Sequence, residues 1–156
     1  EPEVLMDGGH DIDTCEAANT AVLHGVFHAL HEQDVRLEGI ILKPSMVLSG
    51  KSCPAQAGVA EVAERTLRSL RRTVPAAVPG IAFLSGGQSD ELATEHLNAM
   101  NAMPGGNPWL VSFSYGRALQ GEALAIWHGQ NQNKAAAQGV FSKRVKSVAL
   151  ARQGRL

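Results

Sequence analysis

Ile81-Ala82-Phe83-Leu84-Ser85-Gly86-Gly87-Gln88-Ser89-Asp90 holds the plan of the chain in ten residues. A short apolar run reads as a strand, Ser85 to Gly87 as a turn, and Ser89 or Asp90 as the start of a helix that continues through Leu92, His96 and Leu97. The same unit recurs on both sides. Toward the C-terminus, Gly105 and Gly106 break the chain, and Trp109 to Phe113 forms the next apolar run. The loop Ser114-Tyr115-Gly116-Arg117 and a helix through Leu119, Leu124 and Trp127 follow it. Toward the N-terminus, Gly39 to Leu42 precedes Lys43 and Pro44, a Ser-, Gly- and Pro-rich loop from Ser45 to Ala57, and an amphipathic helix from Gly58 to Thr73 stopped by Pro75 and Pro79. The first unit is Val4 to Met6, ended by Asp7, Gly8 and Gly9, with a helix from Asp13 to Gln33 whose apolar face reads as Ala18, Val22, Val26, Ala29 and Leu30. Asp13 or Thr14 is its expected cap. A last helix spans Asn133 to Ala151. Four successive strand, loop and helix units predict a parallel sheet with right-handed crossovers: an α/β fold, either an open doubly wound sheet or an arc of a (β/α)8 TIM barrel.

With 156 residues, 44% hydrophobic and 19% charged, the chain has the balance of a globular domain, and residues 1–156 read as a single domain segment without linkers or repeats of low complexity. Two cysteines, Cys15 and Cys53, are too few for a disulfide scaffold and suit a reducing compartment. No apolar run approaches the roughly 18 residues of a membrane span, and Glu1-Pro2-Glu3 does not resemble a signal peptide. The expected setting is cytoplasmic, with no membrane partner. Net charge is -1, but residues 1–40 carry nine acidic groups against Arg36, whereas residues 117–156 carry seven basic groups against Glu122. The basic residues lie at helical spacing among Ala, Val and Leu with no aromatic platform, so they read as a solvated helix face and no nucleic-acid partner is predicted.

In both parallel architectures the loops after the strands open on one face, where functional groups gather. That rule selects Glu1 and Glu3 with Asp7, Lys43, the Ser85-Gly86-Gly87 turn and the Ser114-Tyr115-Gly116-Arg117 turn. Lys43 ends an apolar run; burial there would lower its pKa and make the amine a nucleophile suited to a Schiff base. The bland alternative is a lysine snorkelling to water. Backbone N–H groups of the two glycine-containing turns, with the guanidinium of Arg117, suit a phosphate; the alternative is two ordinary turns and a surface arginine. Glu1 and Glu3 alternate along an extended segment and so share a side, placed for general acid and base work or merely solvated. His24, His28 and His31 share a helical face, but Glu32 is misplaced for HExxH chemistry, and no metal is predicted.

At Glu1-Pro2-Glu3-Val4-Leu5-Met6-Asp7-Gly8, Leu42-Lys43-Pro44-Ser45-Met46-Val47, Phe83-Leu84-Ser85-Gly86-Gly87-Gln88-Ser89 and Ser112-Phe113-Ser114-Tyr115-Gly116-Arg117-Ala118-Leu119-Gln120, in that order, the chain resembles class I fructose-bisphosphate aldolase. The resemblance implies a (β/α)8 barrel, of which this chain supplies strands five to eight, the C-terminal half. It implies reversible cleavage of fructose 1,6-bisphosphate to dihydroxyacetone phosphate and glyceraldehyde 3-phosphate, with no cofactor and no metal. Carried over by motif, Lys43 forms the imine, Glu1 is its acid and base, and Glu3 tunes both. Leu84, Ser85, Gly86, Gly87, Ser114, Tyr115, Gly116 and Arg117 hold a substrate phosphate. Gly9, where the family commonly has Asp, and Ser45, where it has Asn, depart from the pattern without removing a catalytic group. The family's first half, with an aspartate and two lysines of the site, and its tyrosine-ended tail are expected to be missing, leaving an isolated chain with poor activity. The resemblance also suggests a homotetramer. Two other readings stay open: a non-catalytic phosphate-binding or assembly element, and another Schiff-base lyase or phosphosugar isomerase on the same fold.

Overall fold

The computed structural model describes residues 1–156. Helix α1 runs Ile12–Glu32, strand β1 Ile41–Leu42, α2 Val59–Thr73, β2 Gly80–Phe83, α3 Asp90–Ala102, β3 Leu110–Phe113, α4 Arg117–Trp127 and α5 Lys134–Ala151, with single 3-10 turns at Leu37–Gly39 and Asn131–Asn133. The strands lie in the order β1-β2-β3, all parallel, with Ile41 beside Gly80 and Gly80 beside Leu110. Leu42, Ile81, Phe83 and Val111 are buried in the main core, which also holds Leu23, Val62, Leu67, Leu97, Met100 and Val148 from the helices. Side chains alternate across a strand, so Ile41 and Leu110 face the opposite side, where they are 66% and 65% exposed. The sheet is therefore covered on one face only. α1 packs on α2, α2 on α3, and α5 on both α3 and α4.

Three strands form the ladder where four were expected. Val4–Met6 runs extended, alternating half-buried Pro2, Val4 and Met6 with exposed Glu1, Glu3, Leu5 and Asp7, but it has no strand pairing. The N-terminal segment is tied instead to the chain after β1. Val4 N–H donates to Ser45 Oγ at 3.0 Å, Ser45 N–H to the Pro2 carbonyl at 3.3 Å, and Lys51 N–H to the Met6 carbonyl at 2.7 Å.

α1 differs from its expected face and cap. Asp11, not Asp13 or Thr14, caps it, its carboxylate accepting from Thr14 N–H at 2.8 Å, while Asp13 pairs with Arg65. The buried stripe is Ile12, Cys15, Glu16, Asn19, Leu23 and Phe27, and Val22 is 41% exposed. Two polar residues on the stripe account for the misreading. Asn19 bonds back to the Cys15 carbonyl, and Glu16, 6% exposed, is gripped by α2. Arg68 Nε reaches Glu16 Oε1 at 2.6 Å, Arg65 Nη1 reaches Oε2 at 3.0 Å, and Arg72 Nη1 stands at 3.7 Å. Thr20 and Ser69 meet at 3.1 Å in the same seam. Charge-assisted bonds to a nearly enclosed carboxylate are stronger than neutral ones.

Hydrogen bonds from Arg68, and then Arg65, hold the Glu16 carboxyl at about 2, below its ordinary 4.5. Its contribution to stability is therefore complete above about 4.5 and is lost as pH falls toward about 2. Glu16→Gln is expected to destabilise the fold by about 2 kcal/mol at neutral pH. It should also flatten the acid limb of stability against pH, both read by urea unfolding; an unchanged acid limb would remove Glu16 from this role.

Candidate active site

The strands end together, and so do their loops. Leu84 N–H donates to the Pro44 carbonyl at 3.1 Å and Ser114 N–H to the Phe83 carbonyl at 2.8 Å, the last two rungs of the sheet. Beyond them the chain turns three times around an open cleft of about 310 Å³. Its N-terminal wall is Glu1 and Glu3, Lys43 stands at the end of β1, and Leu84, Ser85 and Gly86 follow β2. Ser114, Gly116 and Arg117 close it after β3. Two of the expected residues take other places. Gly87 is not part of the cleft wall and lies beside the Lys51 ammonium, 3.3 Å from where its Cβ would stand. Tyr115 is buried, its hydroxyl donating to the Ala93 carbonyl at 2.8 Å and its ring 5.4 Å from that of Phe113.

Lys43 is half-buried rather than enclosed, and its Nζ donates to Glu1 Oε2 at 2.9 Å. That hydrogen bond and the adjacent ammonium charge hold the Glu1 carboxyl below its ordinary 4.5. A direct lysine–carboxylate bond is a ready path for a proton between the two groups. The Glu3 carboxylate reaches toward Gly86, its Oε1 3.9 Å from the position a Cβ would take there. Gly86 adopts φ +61°, and an added Cβ would also stand 3.2 Å from Leu84 Cδ1, so this turn requires glycine.

The opposite wall presents hydrogen-bond donors. The N–H groups of Ser85, Gly86 and Gly87 donate to no other backbone group, and α4 begins at Arg117 with no side chain capping its first turn. Free helix-terminal N–H groups carry partial positive charge, and Arg117 adds a full one. Both loops are anchored to α3 from behind. Tyr115 does so through Ala93, and Arg144 from α5 bonds the Asp90 carbonyl at 2.9 Å, Thr94 Oγ1 at 2.9 Å and the Ala118 carbonyl at 3.0 Å. The basic residues of α5 were expected on a solvated face; Arg144 instead joins the starts of α3 and α4, because carbonyls and a hydroxyl there need a donor. Ser45 and Arg144 are thus site-supporting residues that spacing did not reveal. A second concavity, about 320 Å³ between α4 and α5 and walled by Leu124, Trp127 and Phe141, carries none of the candidate catalytic groups. No group of three or more His, Cys, Asp or Glu side chains is arranged around a common metal position.

A family model described as "Glycolytic: Fructose-bisphosphate aldolase class-I" matches residues 1–156. The chain is 55% identical over 154 residues to fructose-bisphosphate aldolase B of Sparus aurata, covering 99% of this chain and 42% of that protein. It is likewise 55% identical over 156 residues to a probable fructose-bisphosphate aldolase class 1 of Xanthomonas axonopodis, covering 46% of it. Among solved structures, fructose-bisphosphate aldolase from Plasmodium falciparum, in complex with TRAP and a small molecule inhibitor, superposes with a TM-score of 0.96 at 48% identity over 99% of this chain and 44% of that one. The chain thus spans less than half the length of the relatives it matches.

Ser45→Ala removes the acceptor of Val4 N–H, a bond worth about 1 kcal/mol, and frees the segment that carries Glu1. The Glu1 carboxyl is expected to titrate closer to its ordinary 4.5 in the variant, read by carbonyl-carbon NMR; an unchanged titration would show that Ser45 does not set the Glu1–Lys43 pair.

Proposed function

The chain belongs to the class I fructose-bisphosphate aldolase family, and we propose that it carries the imine-forming and phosphate-binding groups of that reaction. The substrate is fructose 1,6-bisphosphate, cleaved reversibly to dihydroxyacetone phosphate and glyceraldehyde 3-phosphate. The observation that carries this reading is the 2.9 Å Lys43–Glu1 pair in one cleft with Ser85, Gly86 and Arg117. An anion held on the Ser85 and Gly116 turns brings a keto group toward the end of β1, which is how a bound phosphate converts encounter into orientation.

In this mechanism Glu1 accepts the ammonium proton and frees the Lys43 amine, which adds to the substrate keto carbon. The carbinolamine hydroxyl takes a proton from Glu1 and leaves as water, giving an iminium. When the C3–C4 bond breaks, its electron pair moves toward the iminium carbon and neutralises the nitrogen, while the C4 hydroxyl passes its proton to the Glu1 carboxylate, left unprotonated by the dehydration, as the aldehyde forms. Reprotonation at C3 and addition of water release the ketone product and return Lys43. Glu3, whose carboxylate reaches toward Gly86 on the same cleft, is read by resemblance as tuning Glu1 and Lys43. The loop N–H groups and Arg117 bind the phosphate, with Ser114 at the rim. By family, residues 1–156 are one segment of a (β/α)8 barrel, the bare Ile41 and Leu110 face belongs to its interior, and the protein is a cytoplasmic homo-oligomer, a tetramer by resemblance. No helix of the chain is long and apolar enough to cross a membrane.

Borohydride reduction in the presence of dihydroxyacetone phosphate, followed by peptide mapping, is expected to leave a covalent adduct on Lys43 and none in Lys43→Met. Glu1→Gln should slow adduct formation by about 100-fold, the usual scale for loss of a general acid and base. A folded chain that binds phosphate but yields no adduct would instead support a non-catalytic phosphate-binding element.

A further inference from the structure

Beneath the Ser85–Gly87 turn lies a buried polar chain that takes no part in the cleft itself. The Ser85 carbonyl accepts twice from one residue, from Gln88 N–H at 3.1 Å and from Gln88 Nε2 at 2.9 Å. Gln88 Nε2 also faces Met46 Sδ at 3.5 Å, and Gln88 Oε1 lies 2.7 Å from His96 Nδ1 on α3. Gln88 is 8% exposed and His96 is 1% exposed.

Only one hydrogen-bond pattern satisfies this chain. With both amide hydrogens of Gln88 directed at the carbonyl and the sulfur, Oε1 must accept, so His96 carries its proton on Nδ1 and donates. Flipping the amide would set Oε1 against the Ser85 carbonyl, two acceptors face to face. The remaining ring nitrogen, His96 Nε2, is buried without a partner. An unpaired acceptor is costly, and a second proton there would be a donor with nothing to receive it. Burial accordingly holds the imidazole down to about 4, so it stays neutral across the neutral range. The turn above is inherently loose, since Gly86 and Gly87 sit at φ +61° and +81° and their N–H groups make no backbone bond. What fixes it from below is the grip on the Ser85 carbonyl.

We propose that His96 and Gln88 are positioning residues for anion binding: His96 Nδ1–H orients the Gln88 amide, which holds the Ser85 carbonyl and so aims the Ser85 and Gly86 N–H groups at the phosphate. This rests on the reading of the cleft as a phosphate site. Neither residue touches the ligand; both act through the shape of the turn.

The test is titration of the full, isotope-labelled chain with inorganic phosphate, following the amide resonances of Ser85, Gly86 and Gly87. The unsubstituted chain is expected to show saturable shifts there and at Gly116 to Ala118. Gln88→Met and His96→Leu, which keep volume and remove the polar link, should weaken phosphate binding about tenfold and increase the motion of Gly86 and Gly87. His96→Asn, which retains an N–H donor near the Nδ1 position, should recover most of the affinity. Leu97→Val on the same helix should lower the melting temperature without weakening phosphate binding. A folded Gln88→Met chain that binds within about twofold of the parent, or a Leu97→Val chain that loses as much affinity, would overturn the proposal while leaving the functional reading intact. If His96→Leu fails to fold, Gln88→Met decides the matter. If the unsubstituted chain binds no phosphate at these amides, the reading of the cleft fails and this proposal falls with it.

Discussion

Two backbone hydrogen bonds, Leu84 N–H to Pro44 and Ser114 N–H to Phe83, end the sheet at one level, and the chemistry of the molecule depends on that shared ending. A parallel register brings the three loops out on one side, because every strand runs the same way and each helix returns the chain to the far end. Past the last rungs the backbone N–H groups of the Ser85 and Gly116 turns lose their sheet partners and become available to an anion. The same point on β1 is where Lys43 leaves the strand. The geometry that terminates pairing thus places an amine and a set of free N–H donors around one volume.

Support for that volume comes from two directions. α3 lies behind both loops and holds them through His96 and Gln88 on one side and Tyr115 and Arg144 on the other. The Glu1 wall is held by Ser45, which replaces a strand partner with a hydroxyl. Farther out, the Glu16 cluster locks α1 to α2 and keeps the layer of helices that covers the buried sheet face in place. The other face, with Ile41 and Leu110, has no such layer.

Much of this was legible in the sequence because strands, turns and helix starts leave strong local marks. Ser89 or Asp90 as a helix start, Pro75 after a helix and Gly86-Gly87 after an apolar run are strong local signals. The rule that loops cluster at strand ends then brought Lys43, Ser85 and Arg117 together without coordinates. Apart from the Asp11 cap of α1, the failures were long-range. Glu16 fell outside the apolar face expected for α1 because its arginines are some fifty positions away. Arg144 looked like part of a solvated face because its partners are backbone carbonyls on other helices. Val4–Met6 looked like a fourth strand because hydropathy cannot register that the Val4 N–H goes to the Ser45 hydroxyl in place of a backbone carbonyl. Gln88 and His96 carry no signature of their joint role, since it lies in one buried amide orientation.

The central claim is that Lys43 and the anion cradle act on one molecule. The measurement that tests it most directly compares the rates at which borohydride traps the Lys43 imine with dihydroxyacetone phosphate and with dihydroxyacetone, which lacks the phosphate. The account predicts trapping at least about tenfold faster with the phosphate ester, and a ratio near unity in Arg117→Ala. Equal rates for the two ketones in the unsubstituted chain would mean that the cradle and the lysine serve different ligands, and would contradict it.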